Sequence, residues 1–204
     1  KKEVVRLWHK ETDLQECDFI ILPGGFSFGD YLRSGSIAKF SPIMTEIIGF
    51  ANAGGYVMGI CNGFQILTES GLLPGALLHN DSHKFICKNT YLKAETKNTL
   101  ITNQYAKKVI KIPIAHGEGK YFADEKTMKS LIQNDQILFK YCDENGDITE
   151  QANPNGSLLN IAGVCNADRN VFGMMPHPER AADKELTNQD GLTLFKSILA
   201  EILL

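Results

Sequence analysis

Tyr56-Val57-Met58-Gly59-Ile60-Cys61-Asn62-Gly63-Phe64-Gln65 (56–65) is the stretch on which the fold turns. Its first half is a short apolar run that reads as a buried strand, and the segment from about 62 to 70, closed by Gly71, reads as a short helix. Gly59 and Gly63 border Cys61 in the form G-x-nucleophile-x-G, where small flanking residues permit a sharp strand-to-helix turn that lifts the central side chain out of the sheet. The turn also puts Cys61 at a helix N-terminus, where the positive end of the dipole is expected to lower a thiol pKa. A buried cysteine that merely lies between two glycines gives the same pattern, and free cysteine is often buried.

Outward from this stretch the pattern is repeated. VVRLW (4–8) and DFIILP (18–23) read as strands, the second apolar on both faces as a buried parallel strand should be. Ser41 caps a helix with Pro42 at its first position, Ile43, Ile47, Ile48 and Phe50 apolar, and Gly54-Gly55 as the stop. From about 77 to 115 the runs KFICKN, TYLKAET, NTLITN and KVIKIPIA predict short strands forming an antiparallel patch beside the main sheet. Asp124 caps a helix over 124–134 with Met128, Leu131 and Ile132 on one face. QILFKY (136–141) predicts a strand, and the polar 143–160 segment, with its Asn-Gly and Asn-Pro pairs, a surface loop. IAGVCN and VFGMMP are strands around a turn at 168–170, and a helix from about 190 places Leu192, Phe195, Ile198 and Ile202 together. Strand-helix alternation predicts an α/β fold in three layers, an open, mostly parallel sheet with helices on both faces. No linker or repeat divides the chain, so residues 1–204 are expected to be a single domain.

Composition narrows the function. The 204 residues carry a formal charge of -3 without a run of Lys and Arg, which argues against nucleic acid or an anionic membrane as partner. No apolar stretch approaches the roughly 18 residues that span a bilayer. The start, KKEVVRLWHKETD, lacks the form of a secretory signal. Five cysteines, none in a Cys-x-x-Cys pair or at zinc spacing to a histidine, suggest a reducing, cytoplasmic setting and no structural metal.

Two further segments carry candidate chemistry. Pro176-His177-Pro178-Glu179-Arg180 follows the strand VFGMM; the prolines restrict the backbone and a carboxylate two residues on can orient His177. A half-buried polar loop is the bland alternative, but a nucleophile needs a base and the base an orienter, and Cys61, His177 and Glu179 supply all three. Gly24-Gly25-Phe26-Ser27-Phe28-Gly29-Asp30 follows DFIIL. Its glycine spacing fits neither the dinucleotide fingerprint nor the P-loop, so an oxyanion contributor is the better reading, with a second donor from the amide of Asn62.

Together ILPGGFSFGDYLRSG, GICNGFQILTESGLLPGALLHNDSHKF, PIAHGEGKY, NPNGS and GMMPHPER resemble the class I, triad-type glutamine amidotransferases, and within them the glutaminase subunits that serve a purine-pathway synthase. The resemblance covers the chain from about residue 18 onward. It implies a flavodoxin-like glutaminase fold, Cys61 as nucleophile, His177 as general base and acid, Glu179 as orienter, and Gly25 and Asn62 as oxyanion donors. It also implies L-glutamine contacts from Gln65, Asn80, Ser82 and Phe85. His116 and Glu118 match a block expected at the cleft rim or the synthase interface, and Phe26, Phe28, Tyr31 and Arg33 are candidate contact or switch residues; local packing is the alternative for these aromatics. No cofactor is implied in this subunit, ATP and magnesium being expected on the synthase partner, with a small accessory subunit as a further partner. The family opens with one strand and helix before the strand matched by VVRLW, a unit expected to be missing here. Another Cys-elbow α/β protein, a hydrolase or chaperone, or a non-catalytic binding module would share the elbow but not the Pro-His-Pro-Glu block.

Overall fold

The computed structural model describes residues 3–105, 109–186 and 188–201. Strand β1 (Phe19–Leu22) leads through the glycine-rich loop to helix α1 (Pro42–Asn52), strand β2 (Tyr56–Ile60), helix α2 (Asn62–Glu69) and strand β3 (Ala76–Leu78). Strands β4 (Ile86–Ala94), β5 (Val109–His116) and β6 (Lys120–Phe122) follow, then helix α3 (Glu125–Gln133), strands β7 (Ile137–Cys142), β8 (Ile161–Cys165) and β9 (Val171–Met174), and helix α4 (Leu192–Glu201).

Local chemistry explains these elements. Pro42 opens α1, whose buried Ile43, Met44, Ile47 and Ala51 recur at helical spacing, and Gly54 leaves it at φ +95°, a left-handed angle that glycine adopts without strain. Asp124 Oδ1 accepts from Thr127 N at 2.7 Å to cap α3. Met58, Phe64, Phe139, Tyr141 and Phe172 are fully buried and fill the core.

Seven strands form one sheet in the order β1-β2-β9-β8-β7-β4-β5, and β3 pairs antiparallel with β6 in a separate small sheet. Parallel pairing is confined to β1-β2-β9; the other four pairings are antiparallel, so the α/β fold carries a mixed sheet. β5 closes the strand order opposite β1, yet its Pro113 carbonyl accepts from His177 N at 2.8 Å, which requires the sheet to curl on itself.

Several expectations are corrected. VVRLW is not a strand: residues 3–8 have no regular structure and Val4 is exposed, because no described strand offers it a hydrogen-bonding partner. β1 is parallel as expected but lies at the sheet edge, so Ile21 faces solvent. The small antiparallel patch is present as β3 with β6, but the segments KFICKN, TYLKAET and KVIKIPIA belong to the main sheet. KFICKN and TYLKAET fuse into the nine-residue β4, which hydrogen-bonds to β7 inside the main sheet. Residues 98–103 form turns held by Thr102 N to Thr99 O and Asn103 N to Thr99 O. Ile132 of α3 is exposed, leaving Leu131 as the buried residue of that helix. The 143–160 segment is not wholly superficial, since Asn155, Ser157 and Asn160 are buried. On α4 the buried positions are Leu194, Ser197 and Ile198, and Ile202 lies outside the described residues. Among the described residues no helix is long and apolar enough to cross a membrane.

Candidate active site

β1, β2 and β9 are adjacent and parallel, so the segments leaving their C-terminal ends converge. Those segments are the glycine-rich loop, the Cys61 elbow and the Pro-His-Pro-Glu turn. An ideal Cβ placed on Gly24 would lie 2.7 Å from His177 Cε1 and 3.5 Å from Cys61 Cβ, so both side chains press on one backbone point that only glycine can occupy.

Cys61 is the single residue between β2 and α2, with φ 51° and ψ -105°, a strained conformation for a residue bearing a Cβ. Gly59 and Gly63 make the turn possible: a Cβ on Gly59 would approach the Gly63 backbone to 2.5 Å, and one on Gly63 would overlap the Leu22 carbonyl. The thiol is buried and donates to Ala115 O at 3.7 Å. Burial pushes it up to about 12; the Asn62 N–H and the Arg180 charge pull down but do not outweigh burial. The expected lowering of this pKa by the helix dipole is therefore corrected: in the empty site Cys61 is a neutral thiol. Forming the thiolate requires a nearby base.

His177 is 2 % exposed and its Nδ1 donates to Glu179 Oε1 at 2.6 Å. A carboxylate can only accept, so this contact fixes the proton on Nδ1 and leaves Nε2 with a lone pair. That Nε2 is buried and has no partner. The buried side-chain polar atoms left without a partner, among the described residues, are His177 Nε2, His116 Nε2, Asp30 Oδ1 and Ser27 Oγ. All four belong to the glycine-rich loop or to the two histidines beside Cys61, and buried polar atoms in native proteins rarely stay unpaired.

A cavity of about 170 Å³, lined by Gly25, Asp30, Cys61, Gln65, Phe85 and His116 among others, lies at this point. That is a few times the roughly 30 Å³ a water occupies, a volume on the scale of one amino acid. A larger opening of about 840 Å³ runs from residues 5–9 along β1 and α1 but includes neither Cys61 nor His177. The smaller cavity is the chemically relevant one.

Gln65 reaches the cavity with its amide engaged: Asn62 Nδ2 donates to its Oε1 at 2.9 Å and its Nε2 donates to Glu118 O at 2.6 Å. Asn62 Oδ1 in turn accepts from Ser27 N at 3.2 Å, tying the elbow to the glycine-rich loop. Phe85 lines the cavity and is half exposed, its ring 6.1 Å from that of Phe26. Asn80 and Ser82 do not line it. Asn80 is fully buried and spends its amide on Lys84 O, His116 O, His116 Nδ1 and Gly119 N, whereas Ser82 is exposed and its Oγ accepts from Lys84 N.

His116 and Glu118, expected at the cleft rim or the synthase interface, both line the cavity. His116 is 3 % exposed and lines the cavity; its Nδ1 meets Asn80 Oδ1 at 3.1 Å. Burial, with the His177 charge, lowers its pKa to about 4, so it is neutral. Glu118 Oε2 accepts from Ser34 N at 3.0 Å and its Oε1 lies 3.4 Å from His79 Nε2. The NPNGS segment buttresses this turn, Asn155 Nδ2 donating to Gly119 O at 2.8 Å. Phe26, Phe28 and Tyr31 are exposed, though Phe28 also meets the His9 ring edge-on at 5.7 Å, and Arg33 pairs with Glu69 at 2.5 Å. Asp30 and Ser34, both lining the cavity, escaped sequence reasoning. Their only sequence signal was membership of the glycine-rich loop.

An elbow cysteine and a glycine loop that line one small cavity, with a carboxylate-oriented histidine against the loop's Gly24, define an acyl-transfer site of the amidotransferase class. The chain belongs to the family of CobB/CobQ-like glutamine amidotransferase domains, which matches residues 2–193. Over 94% of its length it is 59% identical to the phosphoribosylformylglycinamidine synthase subunit PurQ of Synechocystis sp., covering 86% of that protein. The PurQ subunit of Koribacter versatilis is 54% identical over 98% of the chain and 87% of its own length. A chain in the structure of PurLQS from Thermotoga maritima superposes with a TM-score of 0.80 at 46% identity, over 93% of this chain and 82% of that one.

Proposed function

We propose that this chain is the glutaminase subunit of phosphoribosylformylglycinamidine synthase, hydrolysing L-glutamine and delivering the ammonia to a synthase subunit in purine biosynthesis. The observation that carries the reading is that Cys61 and the His177 ring both lie against Gly24, with His177 Nδ1 held by Glu179, in a chain 59% identical to a PurQ subunit.

In this mechanism His177 Nε2 takes the Cys61 proton and the thiolate sulfur bonds to the side-chain carbonyl carbon of glutamine. The backbone N–H groups of Gly25 and Asn62 hold the oxyanion. As the tetrahedral adduct collapses, the C–N bond breaks and the His177 proton passes to the departing nitrogen, giving ammonia and a Cys61 glutamyl thioester. Water, deprotonated by His177, attacks the thioester; the C–S bond breaks, glutamate leaves and the thiol recovers its proton. Glu179 holds the Nδ1 proton and stabilises the transient imidazolium.

Ammonia set free in neutral water is mostly protonated and no longer nucleophilic, so its transfer has to occur within a complex. The exposed Phe26, Phe28 and Tyr31 on the glycine-rich loop supply an aromatic contact surface for the synthase subunit, with a small accessory subunit as a further member. The test is reconstitution: this chain plus the synthase subunit should convert glutamine to glutamate in step with synthase product. Glutamate release without any synthase product at saturating synthase substrates would overturn the proposal.

A further inference from the structure

Segment 33–39 continues the glycine-rich loop and lies along α2, so the helix that opens at the Cys61 elbow also carries the contacts of this strap. In the first turn of α2, Asn62 Oδ1 accepts from Ser27 N at 3.2 Å. At its middle, a Cβ on Gly35, where φ is +82°, would come within 2.8 Å of Ile66 N and 2.9 Å of the Gln65 carbonyl carbon, so backbone rests on backbone. At its last residue, Glu69 Oε1 meets Arg33 Nε at 2.5 Å and Oε2 meets Lys39 Nζ at 3.7 Å.

Glu69 is poorly placed for anything but those two cations. Its side chain is 7% exposed, and desolvating a carboxylate is costly unless a cation compensates it. It ends α2, where the negative end of the helix dipole disfavours a carboxylate, and no basic residue stands in that last turn to offset this. Compensation among the described residues comes from the strap, by one cation near each of its ends.

The strap in turn holds part of the cavity wall. Arg33 adjoins Ser34, which is buried, lines the cavity and donates from its amide to Glu118 Oε2 at 3.0 Å, while its side chain hydrogen-bonds the Asp30 carboxyl. Glu69 itself does not line the cavity, and α2 spans eight residues, about 12 Å, between the elbow and this end. Glu69 can therefore act on the site only through the strap.

We infer that Glu69 is a positioning residue, a latch that closes on Arg33 and Lys39 and holds the Asp30–Ser34 wall of the cavity against α2. Its kinetic effect rests on the glutaminase reading; the latch itself does not.

Two measurements test it. In complex with the synthase subunit, Glu69→Gln should lower kcat/KM for L-glutamine about fivefold, the scale of one partly exposed ion pair, through a raised KM with kcat nearly kept. Arg33→Gln should act in the same direction, and the double variant should lose little more than Glu69→Gln alone, because both changes break one contact. Hydrogen exchange of the chain, which needs no catalysis, should quicken over 27–40 in Glu69→Gln while the amides of 62–69 keep their wild-type protection. Faster exchange in α2 as well would mark Glu69 as a residue that only stabilises its helix, and would overturn the inference. So would unchanged exchange over 27–40, or kinetic losses that multiply in the double variant. The expected exchange in a wild type that hydrolyses no glutamine would remove the glutaminase reading, and with it the kinetic role of Glu69 but not the latch.

Discussion

The two halves of the site are built differently. The elbow at 58–65 is set in the core: Met58 and Phe64 are fully buried, Gly59 and Gly63 pack backbone on backbone, and Cys61 N donates to Met174 O at 2.8 Å. The facing glycine-rich loop exposes Phe26 and Tyr31 at 66% and 75%, and has positive φ at Phe28, Gly29, Asp30 and Leu32. Polar tethers hold it, Ser27 N to Asn62, Ser34 N to Glu118 and Arg33 to Glu69. A tether such as Arg33–Glu69, half exposed on the arginine side, stabilises by at most about 1 kcal/mol. The elbow that carries Cys61 is therefore preformed by packing, whereas the glycine-rich half depends on contacts that a partner can strengthen.

The most severe way to break the elbow is Cys61→Ala. Glutamine-dependent turnover should fall by about 10⁴-fold or more, while ammonia-dependent synthesis by the assembled complex persists. Steady-state glutamate release in the variant at the wild-type rate would show that the thiol is not the nucleophile. Adjacent glycines of the loop give a sharper contrast. Gly24→Ala drives a methyl group into His177 and should lower kcat by about 100-fold, whereas a Cβ on Gly25 meets no protein atom within 4 Å, so Gly25→Ala should spare His177 and cost less, its effect falling on KM because Gly25 lines the cavity. Equal losses in the two variants would mean that loop rigidity, not contact with His177, is what matters.

Adding the synthase subunit should raise glutamate release several-fold, because it covers the loop rather than the elbow; equal rates with and without it would show the loop half to be preformed as well. Thiol labelling probes burial. With limiting iodoacetamide, exposed Cys87 should react before Cys61, whose burial keeps it protonated. Peptide mapping that finds Cys61 first would restore a depressed pKa.

The smallest effect concerns His116. Its folded pKa, lowered to about 4, lies below the unfolded value of about 6.5, so the unfolded chain binds more protons between those limits. Stability should be fully present above pH 6.5 and lost as pH falls toward 4. Between pH 7 and pH 5 the loss is about 2 kcal/mol from this group alone. Urea unfolding at the two pH values should show a smaller difference in His116→Gln than in wild type, and an unchanged difference would place the proton elsewhere.

What could be read from sequence was what is local. Strand, Cys61 and α2 follow one another within 14 residues from Tyr56 to Glu69, and His177 and Glu179 are two apart, so their pairing needs no knowledge of the fold. Partner choice in the sheet was not legible. An apolar run such as 18–23 looks the same in the middle of a sheet as at its edge, where Ile21 meets water. β4 was read as two pieces because the polar Lys88-Asn89 interrupts it, yet both residues lie on its solvent-exposed stretch. Long-range polar contacts were invisible for the same reason: Asn80 reaches residues 116 and 119, and Asp30 borders the cavity only because the loop is pulled toward Glu118. The substrate role of Asn80 was implied by the resemblance alone, and the side chain's own pairing, with backbone at 84, 116 and 119 and with the His116 ring, could not be read from sequence.

The neighbouring strands β2 and β9 have consequences for how the protein is made. Val57 pairs with Val171 and Ile60 with Met174, so the two strands that carry Cys61 and His177 are more than 100 residues apart in the chain. Closing so long a loop is entropically unfavourable, and such contacts form late in folding. On the ribosome, the elbow therefore emerges long before the strand that will seal it. Until β9 slots in between β2 and β8, Cys61 lacks the Met174 carbonyl that holds its backbone and the histidine that would act on its thiol. The Cys61 thiol is therefore more open to oxidation during that interval than in the folded chain, where burial shields it.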